Sequence, residues 1–270
     1  MVITNNNITQ KTYKKLSIQV SLSGFSFCVF DLFTSKILHT TELAFEKNKV
    51  IEEELWHTFV DNSVLTKTYD EIVVLHNNSL NAFVPTSLFD ANFLASYLQY
   101  NTKVFETDFF TYDTILPYEI KNIYVPFVNI NNFLLDQYES FEYKNSNSVL
   151  VKKLLDISKN KDEKQVFVHI QKNTFELIVV KNQELLLFNS FNYSTPQDFI
   201  YYLLFTCEQL QLNPETISVQ ILGNCSEEDS IYKIAFQYIR NCALLNVASF
   251  VTTFDATETT IRNHFILYHS

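Results

Sequence analysis

Residues 165–224 read QVFVHIQKNTFELIVVKNQELLLFNSFNYSTPQDFIYYLLFTCEQLQLNPETISVQILGN and decide the fold. Three β-rich runs separated by short polar turns predict a meander: Val166–Ile170, Thr174–Val180 and Glu184–Phe191. A helix is predicted to begin at Pro196, and a fourth strand, Ile217–Leu222, ends at Gly223-Asn224. A helix of this length allows the fourth strand to lie parallel to an earlier one through a right-handed crossover.

The helix that begins at Pro196 has well-marked ends. Thr195 can cap its N-terminus, proline suits the first helical position, and Asp198 places an acid in the first turn. Pro214 ends the pattern, because proline cannot continue a helix. The inner face is an apolar stripe at helical spacing: Phe199, Ile200, Leu203, Leu204, Cys207 and Leu210.

Three aromatic residues of this helix, Tyr201, Tyr202 and Phe205, add apolar area outside the stripe. A helix that is apolar nearly all round is normally buried on more than one side. We expect the chain itself to cover this second face, for example with His264–Tyr268, since large exposed apolar patches are rare on monomers. The alternative is an interaction surface for a partner or a second subunit.

The composition is that of a globular protein: 270 residues, 47% hydrophobic and 19% charged, which fits one large domain or two lobes. The net charge is −10 and the only arginines are Arg240 and Arg262, so no nucleic-acid partner is expected. Apolar runs such as Phe199–Phe205 are too short to span a membrane. Met1–Gln10 is polar and rich in Asn rather than signal-like, so we expect a disordered tail and a cytoplasmic protein.

Neither a cofactor nor a metal is expected. The four cysteines show no paired spacing and are expected to be reduced thiols: Cys28, Cys207, Cys225 and Cys242. His264 and His269 have no second pair of ligands beside them, so zinc is not expected. Gly24 and Gly223 are the only glycines, whereas average usage would give about 19. Phosphate-binding loops need glycine for close backbone approach, so the usual nucleotide loops are excluded.

The rest of the chain predicts further short elements. The strands expected before residue 144 are Leu16–Leu22, Phe25–Phe30, Lys36–Phe45, Glu71–His76, Lys103–Phe110, Lys121–Val125 and Glu139–Tyr143. The helices expected up to residue 157 are Asn48–Val60, Asp90–Gln99, Asn129–Leu135 and Val149–Ile157. Asn48 is the cap of the first of these helices. After Gly223, a helix at Glu227–Arg240 precedes two expected closing strands, Asn246–Thr252 and His264–Tyr268.

The two halves of the chain have the same predicted order. Leu16–Phe45 and Gln165–Phe191 each give three strands followed by a helix. Glu71–His76 and Ile217–Leu222 each give a later strand that ends at a polar turn. The pattern therefore predicts two related α/β lobes.

The best internal boundary is Lys144–Asn147, because it is polar and turn-forming. We predict lobe I at residues 11–145 and lobe II at residues 146–270. An exposed polar linker of this kind would be an early site of limited proteolysis.

This duplicated order resembles the actin-like ATPase (ASKHA) superfold, an RNase H-like architecture that includes actin, sugar kinases and Hsp70. Within it, the chain resembles PilM, the cytoplasmic domain of GspL, and an uncharacterised bacterial family, a domain of unknown function assigned this fold. The segments that carry the closer likeness are Leu16–Val20, Val84-Pro85 with Leu88-Phe89, Phe188–Phe191, Asp198-Phe199 with Tyr201–Leu204, and Leu222-Gly223. The resemblance implies two lobes, each a three-strand meander followed by a helix, with a cleft between them.

Active members of this superfold hold ATP between the lobes with an Asp and a Gly in each first hairpin and a Gly-Gly turn at the adenosine. The resemblance places the first pair at Gln19 and Ser21, the second at His169 and Gln171, and the adenosine turn at Gly223-Asn224. Both carboxylates are missing, and Mg²⁺ on phosphates needs oxygen ligands of that kind. We therefore expect these positions to form a degenerate cleft.

The favoured hypothesis is a non-enzymatic interaction or scaffold protein that has lost nucleotide binding and that binds a protein partner. His169 is interpreted as a polar strand residue rather than a catalytic one. A divergent active ATPase or kinase is the first alternative, and it needs other acids to replace Gln19 and His169. A module that binds a small ligand other than a nucleotide in the cleft is the second.

Overall fold

The structure is a computed structural model that describes residues 11–46, 49–105 and 107–270. The predicted tail, Met1–Gln10, and the predicted cap, Asn48, lie outside the described residues. The strands up to residue 145 are β1 (Lys14–Ser21), β2 (Gly24–Asp31), β3 (Ile37–Ala44), β4 (Glu71–His76), β5 (Asn81–Pro85), β6 (Thr111–Ile115), β7 (Ile120–Tyr124) and β8 (Glu142–Asn145). The helices up to residue 157 are α1 (Ile51–Asp61), α2 (Leu94–Leu98), α3 (Val128–Gln137) and α4 (Ser146–Ile157).

The remainder of the chain repeats the start of this order. Its strands are β9 (Gln165–Ile170), β10 (Thr174–Lys181), β11 (Glu184–Asn192), β12 (Ser218–Gly223) and β13 (Asn241–Leu244). Its helices are α5 (Pro196–Gln209), α6 (Ser230–Tyr238), α7 (Ala248–Phe254), α8 (Glu258–Asn263) and α9 (Phe265–Tyr268). The elements predicted between residues 165 and 223 are all present.

Two larger sheets have the same topology. Within the described residues, one has the order β3-β2-β1-β4-β8 and the other the order β11-β10-β9-β12-β13. In each sheet the first three strands form an antiparallel meander. The two later strands are parallel to the first strand. The predicted duplication is confirmed, including the parallel strand that follows a helix.

A small antiparallel sheet, with the order β5-β7-β6, is inserted between β4 and β8. Buried side chains fix its position against the start of α4. Asn147 Nδ2 donates to Asn81 Oδ1 (3.1 Å), and Asn81 Nδ2 donates to Asn122 Oδ1 (3.0 Å). Asn122 Nδ2 in turn donates to Ser148 Oγ (2.8 Å). Buried polar groups that hydrogen-bond to each other favour one arrangement of the elements that carry them. This network of hydrogen bonds therefore fixes the position of β5 against α4.

Helix α5 begins as the sequence predicts. Thr195 Oγ1 accepts from Asp198 N (3.1 Å), and the Asp198 carboxylate accepts from Thr195 N (2.9 Å). This capping box satisfies N–H groups that the helix leaves unpaired. Hydrogen bonds from Ser194 and Thr195 hold the pKa of the Asp198 carboxyl below its usual value. The inner stripe, including the fully buried Phe199 and Leu203, packs on β9, β10 and β12.

The segment Lys144–Asn147 was predicted to be an exposed polar turn, and this is wrong, because it ends β8 and begins α4. Asn145 ends β8, and its Oδ1 accepts from Asn147 N (2.9 Å) as the cap of α4. Asn145, Ser146 and Asn147 are buried, and Ser146 Oγ donates to Asn77 Oδ1 while Asn147 Nδ2 donates to Asn81 Oδ1. The division into lobes at residues 145 and 146 itself remains a prediction.

The two predicted closing strands are wrong. Asn246–Thr252 overlaps α7, and His264–Tyr268 forms α9, with α8 between them. All four residues of α9 are buried, so its apolar run has no periodicity that separates helix from strand. Residues of α9 pack with α4 and β2 in a core cluster that also contains Phe167 of β9 and Leu222 of β12.

The strand predicted at Lys103–Phe110 is also wrong for the residues described there. Phe105 N donates to Asp108 Oδ2 (2.8 Å), which closes a turn in the middle of the predicted strand. Aspartate side chains favour such turns because they hydrogen-bond nearby backbone groups. Here the local turn prevails over the β propensity of the flanking aromatic residues.

Candidate functional site

A cleft of about 420 Å³ lies between the β1–β2 hairpin and the β9–β10 hairpin. The residues of the predicted site that line it are Gln19, Ser21, His169, Gln171 and Asn224. The topology explains this meeting, because each hairpin starts the meander of its own sheet and equivalent positions face one another. The sixth predicted position, Gly223, lies beside the cleft in the ladder of β12 with β9.

His169 is held by a carboxylate that the sequence analysis did not single out. Its Nδ1 lies 2.7 Å from Glu176 Oε2, and the two residues are cross-strand partners on β9 and β10. Both side chains are buried. Gln171 Nε2 donates to the other oxygen, Glu176 Oε1, at 2.9 Å. Both carboxylate oxygens are therefore engaged by neighbouring side chains.

Gln171 extends this network to the first sheet. Asn77, directly after β4, donates from Nδ2 to Gln171 Oε1 at 2.8 Å. Ser146, at the start of α4, donates from Oγ to Asn77 Oδ1 at 3.2 Å. The turn of the β9–β10 hairpin is thus tied to the carboxyl end of β4 across the base of the cleft.

The sequence does contain a feature that could have identified Glu176 as a partner of His169. Glu176 is the single charged residue in the apolar run of β10, and a buried charge needs a partner. A polar residue on the neighbouring strand, such as His169, is the nearest candidate for that partner. Asn77 offered no comparable signal, because polar residues commonly follow a strand.

Gly223 allows the backbone of β12 to lie close to the backbone of β9. Its φ is +88°, and an added Cβ would lie 2.2 Å from Ile170 O and 3.0 Å from His169 Cδ2. Asn224 N donates to Ile170 O at 2.9 Å directly after this contact. The packing of β12 on β9 therefore requires glycine here, independently of any bound adenosine.

The cleft offers few free ionisable groups. Glu42 of β3 and Lys172 of the β9–β10 turn line it, and both are exposed. In the described part of the chain, no cluster of three or more His, Cys, Asp or Glu residues is placed to hold a metal. Cys225 is buried just after the Gly223-Asn224 turn, and burial raises the pKa of its thiol to about 12. A thiol with that pKa stays protonated near neutral pH and is a poor nucleophile.

The aromatic face of α5 is a second candidate surface. Tyr201 is 62% exposed and Phe205 is 46% exposed, and their rings stack with centroids 6.1 Å apart. Tyr202 instead stacks on Phe191 of β11, with centroids 4.6 Å apart. The expected internal cover by His264–Tyr268 is wrong for Tyr201 and Phe205, because that segment packs beside α4 in another core cluster.

Comparison with known proteins places the chain in a family. Residues 3–242 match the family described as "Protein of unknown function (DUF3822)". The chain belongs to this family. No match was found among curated proteins. In the ranges 11–46, 49–105 and 107–270, no helix has the length and apolar content needed to cross a bilayer.

Solved structures show which fold this family member has. The chain is similar to a protein of actin-like ATPase fold and unknown function from Bacteroides thetaiotaomicron VPI-5482, with a TM-score of 0.81 and 20% identity over 91% of this chain and 96% of that one. It is also similar to the PilM–PilN type IV pilus biogenesis complex, with a TM-score of 0.60 and 10% identity over 94% of this chain and 96% of that one. The predicted actin-like ATPase fold and the likeness to PilM are confirmed.

Proposed function

We propose that this family member is a non-enzymatic interaction module whose cleft does not bind a nucleotide. The observation that carries the proposal is the buried bond between His169 and Glu176, at one of the two positions where the superfold places a carboxylate for ATP chemistry. The carboxylate that is present is buried and bonds through one oxygen to His169 and through the other to Gln171, which favours a structural role over metal or water binding. The second carboxylate position holds Gln19, a neutral amide that cannot balance the charge of Mg²⁺.

The backbone around the cleft supports the same proposal. Phosphate groups are bound by backbone N–H groups in glycine-rich turns. The two hairpin positions that would carry glycine are Ser21 and Gln171. Gln171 bonds to Glu176 and Asn77, so its side chain lies within the space between the sheets. These residues do not fit a bound Mg-ATP.

Melting temperatures with and without millimolar Mg-ATP are expected to coincide. A ligand present at 100 times its Kd would stabilise the fold by about 2.7 kcal/mol. Because that would raise the melting temperature by several degrees, thermal unfolding followed by circular dichroism detects even weak binding. An active ATPase of the same superfold, melted in parallel, is the positive control. A reproducible rise that EDTA abolishes would instead support a divergent active ATPase or kinase.

The proposed partner is a protein. The likeness to PilM supports this in one respect only, namely that the PilM structure is a complex with PilN. The stacked and exposed rings of Tyr201 and Phe205 supply a surface of a suitable kind, since tyrosine and phenylalanine are enriched at protein interfaces.

Replacing Tyr201 and Phe205 together with serine is expected to change the free energy of unfolding by less than about 1 kcal/mol, because neither ring is part of the core. The same double variant is expected to lose proteins that co-purify with the tagged wild-type chain from its native cells. Trp56→Ser on α1, which removes an aromatic ring that is 58% exposed, is the matched control. Recovery of the same proteins by the double variant would exclude this face as the binding surface.

A further inference from the structure

A second groove, of about 480 Å³, lies between the small inserted sheet and the second large sheet. One wall is β5 with the residues just before it, and the other wall is β11. The rings of Phe83 and Phe188 meet between the two walls, with centroids 4.6 Å apart. Each wall is an edge strand: within the described ranges, no strand pairs with the outer side of β5 or of β11. Two sheet edges therefore border one groove.

The register of β5 determines which of its backbone groups point into the groove. Val125 N donates to Leu80 O (3.1 Å), and Thr86 N donates to Glu119 O (2.7 Å). In an antiparallel pair, alternate residues direct both N–H and C=O to the partner strand. The even-numbered residues of β5 therefore face β7, and Asn81 and Phe83 direct their N–H and C=O groups outward.

The same reasoning applies to β11. Tyr193 N donates to Asn173 O (3.0 Å), which sets the alternation along the ladder with β10. Phe188, Ser190 and Asn192 are then the residues whose backbone groups face outward. Ser190 N accordingly bonds to the side chain of Asn189 (2.9 Å) rather than to β10, and Ser190 Oγ is buried without a hydrogen-bond partner in the structure.

The groove carries no charge although the protein has a net charge of −10. Its described lining consists only of apolar, hydroxyl and amide residues. The Asn81 amide is already bonded to Asn122 and Asn147, whereas Asn101 and Asn192 are exposed. A phosphate, a metal ion or a charged side chain would find no ionic partner there. Amide side chains and free strand backbone instead offer both donors and acceptors, which match a neutral peptide backbone.

We propose that this groove binds an uncharged peptide segment of a protein partner in extended conformation, paired along the edges of β5 and β11. The proposal rests on the proposed function as an interaction module and names the form in which the partner is bound. Backbone hydrogen bonds to a sheet edge supply the affinity in this mode, and side-chain pockets supply the specificity. The five residues of β5 correspond to a bound strand of about 17 Å, or about five residues.

The test uses the full chain and a phage-displayed library of random peptides of about seven residues. Peptides enriched on the wild-type protein are synthesised with blocked ends and a fluorophore, and their Kd is measured by fluorescence anisotropy. Ser190→Lys places a long charged side chain in the groove, and we expect it to weaken binding at least about tenfold. Thr41→Lys on β3, the edge strand of the other large sheet, is the matched control and should leave Kd unchanged.

Backbone methylation distinguishes strand pairing from side-chain binding. N-methyl groups on alternate peptide residues remove every second N–H donor. Because one alternating set faces β5 and the other faces β11, each methylated set should weaken binding at least about tenfold. Asn192→Lys, at the exposed end of β11, replaces Ser190→Lys if that variant does not fold. The proposal is overturned if no peptide is enriched, if both lysine variants bind as the wild type does, or if either methylated set binds as the unmethylated peptide does.

The peptide-binding test and the Mg-ATP melting test can fail independently of each other. Absence of peptide binding together with unchanged melting in Mg-ATP rejects the groove and leaves a non-nucleotide interaction module with another binding surface. Stabilisation by Mg-ATP rejects the proposed function whatever the peptides do.

Discussion

Gly223→Ala is expected to lower the free energy of unfolding by at least about 3 kcal/mol. The added Cβ would lie 2.2 Å from Ile170 O and 2.9 Å from Ile170 N, both backbone atoms of the central strand β9. The backbone φ of +88° adds strain for any residue with a Cβ. Neither problem is relieved by a side-chain rotation, so β12 must move away from β9. Urea unfolding followed by circular dichroism measures the loss.

Asn224→Ala is the matched control for this substitution. Asn224 is the next residue of the same turn and is exposed, so its change to alanine should cost less than about 1 kcal/mol. An unfolding free energy of Gly223→Ala within that range of the wild type would mean that β12 and β9 are not as close as this contact requires. A matching loss in both variants would point to the turn as a whole rather than to the missing Cβ.

Acidification from pH 8 to pH 5 is expected to destabilise the fold by about 2 kcal/mol for each of two histidines, the buried His76 and the half-buried His269. Burial lowers the pKa of His76 and that of His269 to about 4. Above the ordinary histidine pKa of 6.5, neither the folded nor the unfolded state is protonated at these sites. Between pH 6.5 and about 4 only the unfolded chain takes up the protons, so stability falls as the pH falls.

The geometry around His76 explains why it stays neutral. The side chain is fully buried at the end of β4, and its Nδ1 accepts from Phe127 N (3.2 Å). Its Nε2 lies 3.0 Å from Asn131 Oδ1 and is the nitrogen that carries the proton. A second proton on Nδ1 would remove the bond to Phe127. Protonation therefore costs both desolvation and a hydrogen bond.

The histidine effect is measured as a difference between variants. His76→Gln should show a stability curve that falls about 2 kcal/mol less between pH 8 and pH 5 than the wild-type curve. His57→Gln, which changes an exposed histidine of α1, should run parallel to the wild type. The comparison is needed because burial raises the pKa of Asp113, which acts in the opposite direction at lower pH. A His76→Gln curve parallel to the wild type would contradict the assignment.

Much of the fold could be predicted because its signals are local. The ends of α5 follow from Thr195, Pro196 and Asp198, whose preferences depend on a few adjacent residues. The strands of the second meander follow from runs of β-branched and aromatic residues separated by polar turns. Repetition of one order in both halves then predicts one topology twice, and the two sheets have it.

The candidate site was predicted in position but not in its chemistry. The resemblance to the actin-like ATPase superfold placed Gln19, Ser21, His169 and Gln171 in two equivalent hairpins, and the four residues line one cleft. The partner of His169 depends on the pairing register of β9 with β10. That register puts His169 opposite Glu176, and a shift of one residue would put the apolar Phe175 or Leu177 there instead.

The sequence by itself determined the two meanders, the helix and parallel strand that follow each, and hence the duplication, because hydrophobic periodicity and turn residues act over a few neighbours. The positions in the cleft followed from the resemblance to the actin-like ATPase superfold. Only the tertiary structure decided that Phe265–Tyr268 is a buried helix, that Asn145, Ser146 and Asn147 lie inside the protein, and that Tyr201 and Phe205 stay exposed. It also decided the bonds among His169, Glu176, Gln171 and Asn77. The burial of these segments and the bond of Asn77 to Gln171 depend on residues far apart in the chain. The bond of His169 to Glu176 depends on the pairing register of β9 with β10, which the local pattern does not fix.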